Sequence, residues 1–402
     1  MLKGQMPFIA DLHIHSKYSL ATSKEMNIPT LASWAKIKGI SMLGTGDFTH
    51  DKWLSELKRD LEESGGGTYS HGGIQFILTA EVSNIYKRAG RTRKVHNIIF
   101  APGFKIVEEI NSVLSKYGKL QSNGRPIVKL DCEEMAKMLF AIDPAIVIIP
   151  AHAWTPHFSI FGSGSGFNSL EECFGAEAEK IFALETGLSS DPAMNWRWSK
   201  LDRFSLISNS DSHSPRKIGR EANVFKEKID YFSLREILKN KDASKFLYTI
   251  EFFPEEGKYH WDGHRECRSC FAPAESIKKH DICPVCGKKV TIGVAHRIEE
   301  LADRNEGYVD KSSPQFKSVV PLAEIIAAAL GKAENTKAVE EEYMRMINDL
   351  GNEFSILLEA PEDVLRKRCP AKVAAGIINT RNGNIKVSPG YDGEYGKVEI
   401  FQ

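Results

Sequence analysis

The chain has 402 residues, 42% of them hydrophobic, and its 53 Lys and Arg are matched by 53 Asp and Glu. That length calls for two or three domains with ample core, and the balanced charge argues against a protein that holds nucleic acid through a strongly basic surface. No stretch has the frame of a signal peptide or the length of a membrane span, so the expectation is a soluble cytoplasmic protein with no membrane partner.

The first apolar run, residues 8–10, leads into Asp11, His13 and His15, a His-x-His pair at a predicted strand end. A helical pattern follows over 28–38, then an apolar run at 40–43 that ends in Thr45, Gly46 and Asp47. After a second helical pattern at 52–64, the run 76–82 places Glu81 at the end of a strand, and His96 opens the next. Helical patterns at 104–117 and 132–140 precede the apolar run 146–149, which reads as a strand buried on both faces and leads to His152 and Trp154. Runs at 181–184 and 204–207 lead to Glu185 and to Asn209, Asp211 and His213. Alternating strands and helices predict parallel βαβ units. In a parallel barrel, residues at the C-terminal strand ends converge on one face.

Imidazole and carboxylate at such positions suit zinc, manganese, iron or magnesium. Glu185 reads as a group that orients a ligand from behind, and His50, His71 and His157 as capping or solvated groups. Residues 86–94 form a basic hairpin that carries Arg91 and Arg93 and is expected to sit beside the metals, either in reach of a phosphate or as a solvated tip. Phe161 and Phe167 flank a Gly/Ser stretch after His152. With Trp154 they are expected to wall a pocket under a mobile loop and to stack on a base.

Cys267-Arg-Ser-Cys270 and Cys283-Pro-Val-Cys286 are two Cys-x-x-Cys knuckles, the pattern of a closed tetrahedral structural zinc. Cys132, Cys173 and Cys369 read as buried apolar residues. His260 and His264, in the connection before the knuckles, read as parts of a docking or substrate-facing loop rather than as ligands. Helical patterns resume at 298–304, 322–330, 338–350, 361–368 and 370–379, and the chain closes on a turn and a short strand. The stretch 358–381 has the look of a helical hairpin that grips a nucleic-acid backbone, or of ordinary helix packing. The implied division is a catalytic barrel over 1–250, a zinc-binding module over 251–300 and a helical module over 301–402.

The order His-x-His, Thr-Gly-Asp, Glu, His, Pro-Ala-His and Ser-Asp-Ser-His resembles the PHP (polymerase and histidinol phosphatase) superfamily. The resemblance implies a distorted (β/α)7 barrel that holds two or three divalent metals. Carried over by motif, the ligands are His13, His15, Asp47, Glu81, His96, His152, Asp211 and His213, and Asp211, His152 and His213 take the catalytic role. The chain departs from the pattern in having no His at 17–22 and in having Asp47 where many members have His. Such a centre hydrolyses phosphate esters by metal-hydroxide attack. The modules beyond the barrel suit a polymeric substrate. With the stretches 257–265 and 161–174, they make the chain resemble the endonuclease Q family. That resemblance implies a DNA repair endonuclease that nicks on the 5′ side of deaminated bases (uracil, hypoxanthine, xanthine) and at abasic sites. Its partners would be such DNA and other replication or repair proteins. The competing readings are a small-molecule phosphoesterase of the histidinol-phosphatase kind and a binding module on a degenerate barrel.

Overall fold

The structure is a computed structural model that describes residues 7–401. Strands β1 (Phe8–Asp11), β2 (Met42–Gly44), β3 (Ile74–Arg88), β4 (Arg91–Ala101), β5 (Val147–Pro150), β6 (Ala183–Glu185) and β7 (Ser205–Ile207) build the wall of a distorted (β/α)7 barrel. β1, β2 and β3 pair in parallel, as do β6 and β7. β4 runs antiparallel to both β3 and β5, because β3 and β4 form one long hairpin instead of the βαβ crossover expected from the sequence. The reversal has a use. It brings the N-terminal half of β4, which carries His96, to the level where β1, β2 and β5 end.

The strands alternate cleanly. Phe8, Ala10, Leu12, Met42, Ile77, Ile98, Phe100, Ile149 and Ile207 belong to one buried cluster, closed by helix Tyr231–Lys239. Ile9, Leu43, Phe76, Leu78, Ile99 and Ile148 belong to another, shared with the surrounding helices. A period of two thus buries both faces of the sheet, and each large side chain removed from water contributes about 2 kcal/mol. The first helix, Ile28–Lys38, shows how the connections are made. Asn27 caps it by accepting from Thr30 N, Pro29 sits in its first turn, and Ile28, Leu31, Ala32 and Ala35 face the sheet.

Two further strands extend the sheet on the other side of β1: β8 (Ala222–Phe225), antiparallel to β1, and β9 (Phe246–Glu251), antiparallel to β8. The next strand on this edge, β10 (Gln315–Ser318), comes from beyond the cysteine module and pairs in parallel with β9. The barrel sheet therefore crosses the expected boundary at 250, and the module is inserted between adjacent strands. Its own apolar core is small: Phe271, Cys283 and Val290, with Cys267 and Ile292 against them. Helices Leu322–Leu330, Lys337–Leu350, Glu362–Arg368 and Ala371–Arg381 form the C-terminal module around Leu322, Ile325, Ile326, Met346, Leu365 and Val373. Among the described residues, no helix is long and apolar enough to cross a membrane.

Candidate metal centre

His13 and His15 follow β1 and alternate with buried Leu12 and Ile14, so both imidazoles point to the same side. His15 Nε2 lies 3.1 Å from Glu81 Oε2 and 2.9 Å from Asp211 Oδ1, and His13 Nε2 lies 3.4 Å from Glu81 Oε2. None of His13 Nε2, His15 Nε2 and Asp211 Oδ1 has an aligned hydrogen-bond partner, although all three are buried. Polar atoms that converge this closely without bonding one another are arranged as ligands around a cation. A second group shares Glu81: His96 Nδ1 is 2.6 Å and His152 Nε2 3.1 Å from Glu81 Oε1. One carboxylate thus joins two sets, His13, His15, Glu81 and Asp211 on one side and Glu81, His96 and His152 on the other. The residues fit divalent cations, and each oxygen of Glu81 faces one of the two sets.

Without a cation, the carboxylates of the centre hold a proton on part of the imidazole set. Burial opposes charge on His13, but Glu185, Glu81 and Asp211 override it and hold its pKa well above the ordinary value. Burial likewise works against ionising Glu81, yet His96, Arg125 and His13 keep it well below the usual carboxylate range. For His96 burial outweighs the attraction of Glu81, and its pKa falls to about 4. Backbone strain collects at the same place. Asp47, His152 and Asp211 all sit at positive φ (51°, 32° and 48°), a conformation that non-glycine residues hold only where the surroundings enforce it.

Several of the expected residues stand apart from these two groups. Asp47 lies outside both groups of ligand atoms. Its Oδ1 faces His15 Nδ1 at 2.9 Å, and its Oδ2 accepts from Ser16 N, Ser16 Oγ and Ser19 Oγ. Its oxygens are occupied in orienting His15 from behind. His213 lies beside the centre, its ring centroid 4.5 Å from that of His15 and its Nδ1 on the Asp211 carbonyl, outside both groups. Glu185 backs His13: its Oε1 is 3.0 Å from His13 Nδ1, and its Oε2 accepts from His152 N.

Trp154, Phe161 and Phe167 are buried in the hydrophobic core. Trp154 and Phe161 pack with Trp198, and Trp154 Nε1 donates to Asn195. Arg93 is likewise committed, donating to the Gly166 carbonyl and lying 4.2 Å over the Phe167 ring. Arg91 pairs with Arg88 at the hairpin tip, seven residues along β3 from Glu81. At the strand rise of about 3.3 Å per residue, that tip stands roughly 23 Å beyond the centre rather than beside it. The open space lies elsewhere. A cavity of about 830 Å³ is lined by Thr155, His157, Ser189, Phe252, Tyr259 and His260 among others. It adjoins the centre through Thr155, whose Oγ1 is 3.1 Å from His152 Nδ1.

In the cysteine module, His264, Cys267, Cys283 and Cys286 present ligand atoms within 4.8 Å of one another, and Cys270 lies outside that group. His264 Nδ1 is 3.6 Å from Cys286 Sγ, so the histidine left aside in the sequence stands among the thiols. Desolvation would raise the Cys283 thiol, but the N–H groups of Cys286 and Val285 bring it down to about 6, while burial pushes Cys270 up to about 11.

With this geometry in view, the relatives are informative. The chain superposes on the crystal structure of the lesion-specific endonuclease EndoQ of Pyrococcus furiosus with a TM-score of 0.88 and 34% identity, over 98% of this chain and 96% of that one. The chain belongs to the endonuclease Q family. An endonuclease Q bound to a 27-mer duplex with an abasic lesion at its active site aligns as well, with a TM-score of 0.87 and 34% identity over 99% of this chain and 97% of that one. YqxK of Bacillus subtilis is 28% identical over 405 residues, 97% of this chain and 98% of that protein. Residues 321–384 match the family described as the MJ0043 C-terminal domain. The endonuclease Q likeness extends through the barrel, the cysteine module and the helical module alike.

One contributor to the centre was invisible to sequence reasoning. Arg125 Nη1 lies 3.0 Å from Glu81 Oε2. It comes from a loop without helical or strand period, and its only signal is the turn-forming frame Asn123-Gly124-Arg125-Pro126.

Proposed function

We propose that this chain is a metal-dependent DNA repair endonuclease that hydrolyses the phosphodiester on the 5′ side of uracil, hypoxanthine or xanthine and at abasic sites. Its setting would be the cytoplasm, alongside other repair proteins that process the nick. The carrying observation is Glu81, a buried carboxylate common to two groups of ligand atoms in a chain that matches endonuclease Q over nearly its whole length. Divalent cations held there would supply an activated water and charge stabilisation at phosphorus. The chain's own part is to fix the ligands. Asp47 and Glu185 set the tautomer and tilt of His15 and His13, and Thr155 does the same for His152.

A lesion base must leave the stack to be read. The cavity beside His152 falls within the roughly 300–1,000 Å³ usual for ligand pockets, and it offers His157, Tyr259 and His260 in place of the aromatic wall expected from the sequence. The module held by His264 and the cysteines serves as a closed structural zinc site, and its small core explains the need for one.

The test is cleavage of end-labelled DNA carrying one uracil, hypoxanthine or abasic site with manganese or magnesium, with undamaged duplex and Asp211→Ala as controls. A single metal-dependent nick 5′ of the lesion, absent in the variant, is expected. No nick on any lesion together with rapid hydrolysis of a small phosphomonoester would overturn the reading.

A further inference from the structure

Arg125 meets the centre in a way that a plain counter-ion does not require. Its segment is anchored on both sides. Asn123 Oδ1 accepts from Leu20 N and from Arg125 N, Gly124 N donates to the Tyr18 carbonyl, Thr49 Oγ1 donates to the Gly124 carbonyl, and Ser83 N donates to the Pro126 carbonyl. Gly124 lies flush against the group that orients His15. A Cβ there would stand 2.1 Å from Asp47 Oδ2 and 2.3 Å from Ser19 Oγ, so only glycine fits. Pro126 biases Arg125 toward an extended backbone. The loop that contacts the Asp47 carboxylate therefore also fixes where the guanidinium sits.

The guanidinium spends one N–H on Glu81, keeps 30% of its side chain exposed, and has no second ion pair among the described residues, although the charges of Asp211 and Asp47 also act on it. The fork therefore keeps donors beyond the one that Glu81 takes, on a side chain that still reaches solvent beside the ligand groups. A cationic donor so placed is free to take an anion that enters the centre. The matching anion is a phosphate, whose non-bridging oxygens suit the planar fork of arginine.

We propose that Arg125 is a catalytic residue that donates hydrogen bonds to a non-bridging oxygen of the scissile phosphate. The inference rests on the phosphodiesterase reading above. As the water oxygen adds to phosphorus, the P–O bond to the leaving sugar oxygen breaks and that oxygen takes up a proton. Negative charge meanwhile grows on the non-bridging oxygens. The guanidinium meets that charge and gives up no proton.

The test uses full-length, metal-loaded wild type, Arg125→Ala and Arg125→Lys, assayed on lesion DNA and on bis(p-nitrophenyl) phosphate. Metal content and affinity for inorganic phosphate are measured alongside. Loss of one such donor costs about 10²–10³ in kcat, and that loss is expected for Arg125→Ala on both substrates. Metal content should be unchanged and phosphate binding at least tenfold weaker. Millimolar guanidinium should restore part of the rate to Arg125→Ala, which loss of a merely structural contact would not allow. Arg125→Lys keeps the charge but not the fork and should remain at least tenfold slow, which serves if the alanine variant does not fold. Rates within threefold of wild type with unchanged phosphate affinity would overturn the proposal. So would a loss of bound metal that parallels the loss of rate, since Arg125 would then merely hold Glu81. If wild type hydrolyses the small diester but nicks no lesion, the lesion reading fails while Arg125 is still judged on the diester. If wild type turns over neither substrate, phosphate binding decides, and equal affinity in wild type and Arg125→Ala would overturn the proposal.

Discussion

Asp47 Oδ1 and His15 Nδ1 lie 2.9 Å apart, on the side of the imidazole away from Glu81 and Asp211. The carboxylate fixes which nitrogen of His15 carries the proton and leaves Nε2 free. Asp47→Ala should therefore weaken metal binding by about 10–100-fold without abolishing it, as read by metal content during titration with a chelator. Complete loss of metal at saturating concentration would instead make Asp47 a ligand.

The cysteine module makes a separate prediction. His264-x-x-Cys267 and Cys283-x-x-Cys286 have the same spacing, and they are the residues that the fold gathers. His264→Ala should lose the structural zinc and unfold the module. Cys270→Ser should retain one zinc per chain and the wild-type melting temperature. Zinc lost from the serine variant and kept by the alanine variant would restore the four-thiol site.

The helical module is joined to the barrel by a buried ion pair. Lys38, the last residue of the first helix, has its Nζ 2.6 Å from Glu353 Oε2, and Glu353 also accepts from Leu322 N and from the Tyr343 hydroxyl. Removing one member leaves a buried charge uncompensated, so Glu353→Ala should destabilise the protein by about 3–5 kcal/mol. Denaturant unfolding would show this as a lowered midpoint or as a new early transition from the helical module. An unchanged curve would mean that the module docks through its apolar contacts alone.

Glu256, on the cavity wall, is pushed up to about 8 by burial and by nearby Glu324. The folded state then holds a proton that the unfolded chain releases near pH 4.5, so this group's contribution to stability falls as pH rises from about 4.5 to 8 and is level above that. Glu256→Gln should match wild type below pH 4.5 and exceed it at pH 8, by about 1–3 kcal/mol after allowance for solvent screening. Melting curves across pH that stay parallel for the two proteins would contradict this.

Apolar runs in the sequence mark the strands that carry the centre. His13 and His15 follow β1, His152 follows β5 and Asp211 follows β7, as strand-end residues should, whereas Glu81 and His96, expected at a strand end and a strand start, sit in the middle of the β3–β4 hairpin. Other residues stand apart from their expected surroundings for physical reasons. Asp47 carries the same local signature whether its carboxylate meets a cation or the back of a histidine, since both need a strand end and a left-handed turn. Trp154, Phe161 and Phe167 beside a Gly/Ser stretch look alike as a mobile wall and as a core anchor; burial decides, and burial is not local. Cys270 completes a familiar spacing, which hid the equal spacing of His264. Arg125 depends on three loops meeting, and no window of sequence contains that.

The pairing of β9 with β10 means that the cysteine module is spliced into the sheet rather than appended to it. The residues on either side of the module are zipped together as neighbouring strands, Tyr248 to Glu251 against Gln315 to Ser318. A protease that cut the chain between 265 and 290 would therefore leave two fragments clasped by this ladder. They would part on a denaturing gel and still travel through a sizing column as one particle.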